Sequence, residues 1–229
     1  GIRGWRFQGE ADAINREARR LSADGVQALV AVIHEGGRAE GGINACLNPE
    51  GPIFEIARAL DPAIDLVLSG HTHRAYNCSV GGRVVIQGAS FGRLVSVIDL
   101  DLDRVPGDVM RERVRARTLP VPNGGDDALD PQVRRAYPPL AADTEVAALL
   151  SHYQERAAPL AGRPVARLAR SFDRRPSSGG DHAAGRLIAD AHLAAIIDNG
   201  AQVAFTNPGG VRGDLAARPP HGVVTFGDL

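Results

Sequence analysis

The segment DLVLSGHTHRAYNC, residues 65–78, begins as a short apolar run and changes abruptly to Gly-His-Thr-His. The run has the length and composition of a strand that is buried on both faces. His71 and His73 follow it, and alternate side chains of an extended segment point to the same side. We therefore expect both imidazoles to leave the strand end on one side, with Thr72 pointing away and Gly70 letting the backbone approach closely.

The surrounding sequence predicts an α/β fold. ALVAVIH, residues 28–34, reads as another strand buried on both faces, and helical spacing precedes it over residues 7–27, with Gly25 as the C-terminal cap. PIFEIARALDP, residues 52–62, predicts a helix that begins near Pro52. Strand, helix and strand in this order predict a right-handed parallel crossover. Further strands are predicted at residues 83–90 and 94–103.

The second half of the chain has its own pattern. Residues 119–132 are rich in turn-forming residues and predict a connector. Residues 143–160 predict a helix capped by Asp143 or Thr144, and residues 181–200 predict another that ends at Gly200. Strands are predicted at residues 164–174 and at residues 201–212, where the strand runs into a glycine turn.

Composition excludes several classes of protein. With 229 residues, 44% hydrophobic and 23% charged, the chain can build a packed core. A formal net charge of -1 and 4% aromatic residues argue against a nucleic-acid-binding surface, because cations to neutralise phosphates are not in excess. No apolar run reaches the roughly 18 residues that a membrane span needs.

Three histidines are candidate metal ligands. His34 ends the first predicted strand, and His71 and His73 follow the second, so a parallel crossover would bring all three to one edge of the sheet. Neutral imidazole is a good ligand for zinc, manganese or iron. The alternative is that His34, a single histidine at a strand end, is only a polar loop residue.

The chain contains two cysteines, Cys46 and Cys78. They are too few to form a four-ligand structural zinc site alone. Two reduced thiols are expected in a cytosolic protein, whereas an exported protein could join them. Both alternatives remain open on these grounds.

Several motifs resemble a known family. SGHTH resembles the last metal-binding motif of the calcineurin-like metallophosphoesterases, and VIHEGG resembles the His motif that precedes it. Residues 43–78 resemble bacterial secreted 5'-nucleotidases as a whole. In the second half, AAGRLIADA, TNPGGVRGDL and GVVTFGDL resemble the helix motif, the substrate loop and the next segment of the 5'-nucleotidase C-terminal domain.

The resemblance implies a hydrolase with two divalent metal ions, such as Mn, Zn, Co or Mg, that releases phosphate from a small-molecule nucleotide. His34, His71 and His73 match the family's metal positions. Arg212 and Asn207 match substrate-binding positions, and Gly209 and Gly210 would let the turn approach the ligand.

The resemblance also bears on location and on specificity. The family is commonly exported, which implies a periplasmic or extracellular protein and a disulfide between Cys46 and Cys78. The family loop has three glycines after Asn, and Pro208 replaces the first of them. Animal members carry an Arg near the position of Ser178, so that role does not transfer to this chain.

The remaining metal motifs of the family, Asp-x-His, Gly-Asp and Gly-Asn-His-Glu, are not found. The chain opens with GIRGWRF, without Met. We expect an internal fragment of a longer protein: residues 1–125 as the C-terminal part of a metallophosphoesterase domain, 126–160 as a connector with a helix, and 161–229 as the start of the nucleotidase domain. No catalytic residue is assigned within it, and we expect no turnover from this chain alone.

Other functions stay open. The substrate could be a 2',3'-cyclic nucleotide or a nucleotide sugar. The protein could instead bind nucleotide and metal without catalysis, or the three histidines could hold a single structural zinc.

Overall fold

A computed structural model describes residues 3–122, 131–217 and 222–229 of the chain. Contacts divide the chain into two compact units, Gly1–Ala141 and Ala142–Leu229. The predicted bounds 1–125, 126–160 and 161–229 differ from this division and stay a prediction. Residues 123–130, which are most of the turn-rich segment 119–132, lie outside the described residues.

The first unit combines three helices with short strands. Its helices are α1 (Glu10–Ala23), α2 (Pro52–Ala59) and α3 (Pro131–Ala136). Its strands are β1 (Leu29–Val32), β2 (Arg38–Glu40), β3 (Leu47–Glu50), β4 (Ile64–Leu68), β5 (Ala75–Val80), β6 (Arg83–Gly88), β7 (Leu94–Asp99) and β8 (Arg115–Pro120). A 3₁₀ turn covers Arg111–Arg113.

The central sheet has the strand order β1-β4-β6-β5. β1 pairs with β4 in parallel, and β4 pairs with β6 in parallel, whereas β5 is antiparallel to β6. α2 lies between β1 and β4 in sequence, as the predicted crossover requires. The predicted α/β fold class is therefore confirmed. β7 and β8 form a separate antiparallel pair, as do β2 and β3.

The core of this unit combines the helices with the central sheet. Phe54 of α2 packs on Tyr76 of β5, with ring centroids 5.3 Å apart. Both side chains are buried. The same apolar cluster includes Ala18, Leu29, Ala31, Ile53, Ala57, Leu60, Ile64, Val67, Cys78, Val80 and Val85.

The prediction that both candidate strands are buried on both faces holds for β4 only. β1 alternates buried and exposed residues, and Val30 and Val32 are 43% and 78% exposed. β1 lies at one edge of the central sheet, and the side chains on one of its faces are exposed. Apolar composition alone did not distinguish these two environments.

A buried carboxylate joins three parts of the first unit. Asp65 on β4 has no exposed side-chain surface. It accepts a hydrogen bond from the backbone N–H of Leu29, at 2.8 Å, and one from Arg111 Nε, at 2.7 Å. Arg111 also donates to the carbonyl of Pro62. Hydrogen bonds to the Asp65 carboxylate thus connect β1 and the 3₁₀ turn to β4.

A disulfide joins Cys46 and Cys78, whose Cα atoms are 5.1 Å apart. Cys78 lies on β5, a strand that the sequence did not predict, and the bond attaches this strand to the loop before β3. β8 was also not predicted. Asn44 fixes it in place, because its side chain donates to the carbonyl of Thr118 and accepts from the N–H of Thr118.

The second unit contains α4 (Thr144–Ala161), α5 (Ala183–Ile196), β9 (Pro164–Arg167) and β10 (Val223–Thr225). Asp143 caps α4 by accepting from the N–H groups of Glu145 and Val146, as predicted. α5 continues into a 3₁₀ turn that Gly200 ends in the left-handed conformation. β9 pairs with β10 in antiparallel orientation.

One predicted strand of the second unit is wrong. Residues 201–207 form no strand. They are rich in apolar residues, but no strand within the described residues pairs with them, and a strand needs a partner for its backbone hydrogen bonds. No helix in the described part of the chain combines the length and apolar character that crossing a bilayer requires.

Candidate metal centre

Two parallel strands bring two of the predicted histidines together. In the register of β1 and β4, Val32 lies beside Leu68, so the carboxyl ends of both strands meet at one edge of the sheet. His34 follows β1 and His71 follows β4. His34 Nε2 lies 3.3 Å from His71 Nδ1, and the ring planes meet at 74°. Both residues are exposed at this edge.

The third histidine is arranged differently from the prediction. Residues 71–74 are not extended, because His71 and His73 have φ angles of +68° and +56°. The alternation of side chains in a strand therefore does not apply to them. The ring of His73 packs edge-on against Phe91, with ring centroids 5.3 Å apart.

The His34–His71 pair fits one edge of a metal coordination shell. Two nitrogens that bind one ion at about 2.1 Å each lie roughly 3.0–3.4 Å apart in octahedral or tetrahedral geometry. The 3.3 Å between His34 Nε2 and His71 Nδ1 falls in this range. The described residues contain no group of three or more His, Cys, Asp or Glu side chains that could hold an ion. These residues thus supply part of a donor set.

A charged cleft of about 430 Å³ adjoins the histidine pair. His71 and Arg74 line one side of it, and residues of the loop before β2 and of the end of β3 line the other. Arg38 and Glu50 form an exposed ion pair across the cleft wall, with 2.5 Å between Arg38 Nη2 and Glu50 Oε2. The cleft therefore offers charged groups of both signs beside the candidate ligands.

Gly36 allows the two histidine-bearing loops to approach each other. The N–H of Gly70 donates to the carbonyl of Glu35 at 3.1 Å. A Cβ atom at position 36 would lie 2.1 Å from the carbonyl oxygen of Gly70 and 2.7 Å from Thr72 Oγ1. Only glycine fits here without displacing backbone.

Replacing Gly36 with alanine is expected to lower the free energy of unfolding by about 1–3 kcal/mol, as overpacking does in other proteins. The cause is the contact of the new Cβ with backbone that cannot move freely. Urea unfolding of the purified chain measures this. Gly9→Ala is the matched control, since its Cβ would meet nothing closer than 3.5 Å, and we expect it to cost less than about 1 kcal/mol. Equal stability of Gly36→Ala and wild type would contradict the close approach.

The predicted substrate residues lie in the second unit. Pro208–Gly210 forms a 3₁₀ turn, and Asn207 caps it by accepting from the N–H of Gly209 at 3.0 Å. Pro208 occupies the first position of the turn, where its fixed φ angle fits and its missing N–H is not needed. The replacement of a family glycine by Pro208 is thus accommodated by the backbone.

Arg212 lines a cavity of about 380 Å³ with Gly210 and apolar residues of α5. Its side chain makes no hydrogen bond or ion pair to any described residue. Asn207 and Gly209 are not among the described residues that line this cavity. The structure therefore brings Gly210 and Arg212 to one cavity, while Asn207 caps the turn that precedes Arg212.

The family model of the 5'-nucleotidase C-terminal domain matches residues 159–229. The matched residues contain α5, the Asn207–Arg212 turn and β10, so this part of the chain is similar to the 5'-nucleotidase C-terminal domain.

Two bacterial relatives match nearly the whole chain. It is 27% identical over 229 residues to the endonuclease YhcR of Bacillus subtilis, covering 16% of that protein. It is 26% identical over 234 residues to the cell wall protein Lmo0130 of Listeria monocytogenes, covering 28% of that protein. The chain therefore spans well under a third of the length of these relatives.

Solved structures of 5'-nucleotidases share the fold. A 5'-nucleotidase precursor from Thermus thermophilus superposes with a TM-score of 0.58 at 18% identity, over 97% of this chain and 41% of that one. A putative 5'-nucleotidase from Staphylococcus aureus in complex with alpha-ketoglutarate gives 0.52 at 16% identity, over 97% and 39%. The likeness covers both the sheet that carries His34 and His71 and the 5'-nucleotidase C-terminal domain.

Proposed function

We propose that this chain is part of a metal-dependent phosphohydrolase that releases phosphate from 5'-nucleotides. The observation that carries the proposal is the pair of ring nitrogens, His34 Nε2 and His71 Nδ1, 3.3 Å apart at the carboxyl ends of β1 and β4. Ligands of open α/β sheets bind at this edge. The 5'-nucleotidase C-terminal domain in the same chain supports the substrate class.

The histidines take the role of metal ligands in this proposal. His34 and His71 present nitrogens that can bind one divalent ion together, and His73 adds a third imidazole once it leaves Phe91. Two divalent ions, such as Mn, Zn, Co or Mg, would polarise the phosphoryl group and make bound water a nucleophile near neutral pH. Ligands beyond the described residues complete the shell in the longer protein that we expect to carry this chain.

Arg212 takes the role of an anion-binding group. Its guanidinium is not engaged by any described residue and can offer two parallel N–H donors to a phosphate or to sugar oxygens. Leu187 and Ile188 provide an apolar wall in the same cavity. Asp214 and Asp228 line the cavity as well. A nucleotide carries a phosphate for Arg212, sugar hydroxyl groups that can donate to carboxylates, and a planar base for the apolar wall.

We further propose that the protein acts outside the cytoplasm, in the periplasm or beyond the cell surface. The bond between Cys46 and Cys78 supports this, because disulfides persist in oxidising compartments. The similarity to a cell wall protein of Listeria monocytogenes points the same way.

A substrate panel tests the proposed activity. The longer protein is incubated with 5'-AMP, a 2',3'-cyclic nucleotide, a nucleotide sugar and a DNA oligonucleotide, each with Mn²⁺ and with a chelator. We expect Mn²⁺-dependent phosphate release from 5'-AMP above all. The oligonucleotide is included because one relative is named an endonuclease. Cleavage of a diester without release from 5'-AMP would replace the nucleotidase proposal, and no turnover of any substrate by metal-loaded protein would favour a binding protein.

A further inference from the structure

A chain of hydrogen bonds runs from the sheet to the histidine loops. Ser69 Oγ lies 2.7 Å from the Tyr76 hydroxyl, which donates to Gln87 Oε1 at 3.0 Å. Gln87 Nε2 donates to Thr72 Oγ1 at 3.1 Å. Thr72 Oγ1 then gives its single proton to the carbonyl of Gly37 at 2.7 Å. Both polar ends of the Gln87 amide are therefore used.

This chain of hydrogen bonds lies within the core of the sheet. Tyr76 and Gln87 are directly opposite each other on β5 and β6, and they are 0% and 2% exposed. Burial raises the pKa of Tyr76, so its hydroxyl stays protonated. Because buried hydrogen bonds are costly to break, the amide of Gln87 has one fixed orientation.

Thr72 holds together the loops that carry the two candidate ligands. Its side chain leaves the loop of His71 and bonds to Gly37, three residues after His34 along the chain. Its backbone N–H also donates to the carbonyl of Gly70, at 2.8 Å. The Thr72 hydroxyl thus connects the loop after β4 to the loop after β1, beyond the last hydrogen bonds between the two strands.

Thr72 also separates two strained residues. His71 and His73 both have left-handed φ angles, +68° and +56°. This conformation is unfavourable for residues other than glycine, and it persists only where the surroundings impose it. Thr72, the residue between them, is held in place by its hydrogen bonds to Gly37 and Gln87.

We propose that Thr72 and Gln87 are positioning residues that set the metal affinity of the His34–His71 pair. The inference rests on the proposed metal site, and it goes beyond the ligands to the side chains that orient them. Without the Thr72 hydroxyl, the histidine loop can relax toward an extended conformation, and the ligand nitrogens lose their fixed separation. Loss of groups that orient metal ligands costs about 10–100-fold in metal affinity.

The chain offers a matched set of variants. Thr72→Val removes the hydroxyl while keeping the shape, and Thr72→Ser keeps the hydroxyl. Gln87→Met removes the amide at the next position of the hydrogen-bond chain. Thr118→Val is the control, because Thr118 is fully buried in the same unit and its hydroxyl bonds at 3.1 Å to Ser96, outside this hydrogen-bond chain.

Co²⁺ binding to the 229-residue chain is titrated by its visible absorption, and urea unfolding is measured for every variant. We expect Thr72→Val and Gln87→Met to weaken Co²⁺ binding about 10–100-fold. Thr72→Ser is expected to bind Co²⁺ nearly as tightly as wild type. Thr118→Val is expected to lose stability but to keep its affinity for Co²⁺. Wild-type affinity in Thr72→Val, or equal weakening in Thr118→Val, would overturn the inference. Absence of Co²⁺ binding to the wild-type chain, or binding that His71→Ala leaves unchanged, would instead overturn the proposed metal site, and the inference with it.

Discussion

His71→Ala is expected to reduce metal-dependent phosphate release by at least about 100-fold. Loss of a group that merely orients a metal ligand costs about 10–100-fold in affinity or activity, and His71 presents a ligand nitrogen itself. His71 Nδ1 lies 3.3 Å from His34 Nε2, so its removal leaves His34 without the neighbouring ligand nitrogen. The measurement is the initial rate of phosphate release from 5'-AMP by the longer protein with Mn²⁺.

His152→Ala is the matched control for this prediction. His152 lies on α4 in the second unit, is exposed, and contacts the ring of Tyr153 with centroids 5.3 Å apart. We expect its rate to equal that of wild type. Unfolding curves establish that both variants are folded. A folded His71→Ala variant with an unchanged rate would show that the metals, if used, bind elsewhere.

Arg111→Ala is expected to lower the free energy of unfolding by about 3 kcal/mol, the lower end of the range for breaking a buried ion pair. The side chain of Asp65 has no exposed surface, and in the variant it loses the arginine that pairs with its charge. The N–H of Leu29 still donates to the other carboxylate oxygen, but it cannot neutralise the charge. The lower end applies because the Arg111 side chain is 30% exposed, so water partly reaches this position.

Arg117→Ala controls for the removal of a surface arginine. Its ion pair with Asp99 is 3.5 Å long, and both side chains are more than half exposed. Such pairs contribute about 0–1 kcal/mol. Urea unfolding of both variants gives the comparison. An Arg111→Ala variant no less stable than Arg117→Ala would contradict the role of Asp65 as a buried tie between strands.

The sequence allowed the position of the candidate site to be predicted, but not its local geometry. Apolar runs before His34 and His71, with a helix between them, predict neighbouring parallel strands whose ends meet, and the structure has this arrangement. His71 and His73 are left-handed, and Thr72 between them bonds to residues 35 and 15 positions away along the chain. No local pattern contains that information.

Two kinds of signal were present but not recognised. Gln87 is a polar residue within the otherwise apolar segment RVVIQG, and a buried polar side chain implies a fixed partner. AYNCSV alternates, with Tyr76, Cys78 and Val80 buried on β5, which is the period of a half-buried strand. Residues 201–207 show the opposite error. Their apolar composition predicted a strand, but no strand among the described residues pairs with them.

The most direct test of the metal site is anomalous X-ray diffraction from crystals of this chain grown with Co²⁺. The account predicts an anomalous difference peak bonded to both His34 Nε2 and His71 Nδ1, at about 2.1 Å from each nitrogen. Crystals saturated with Co²⁺ that show no peak between these two nitrogens, or that show the ion bound only at other residues, would contradict it.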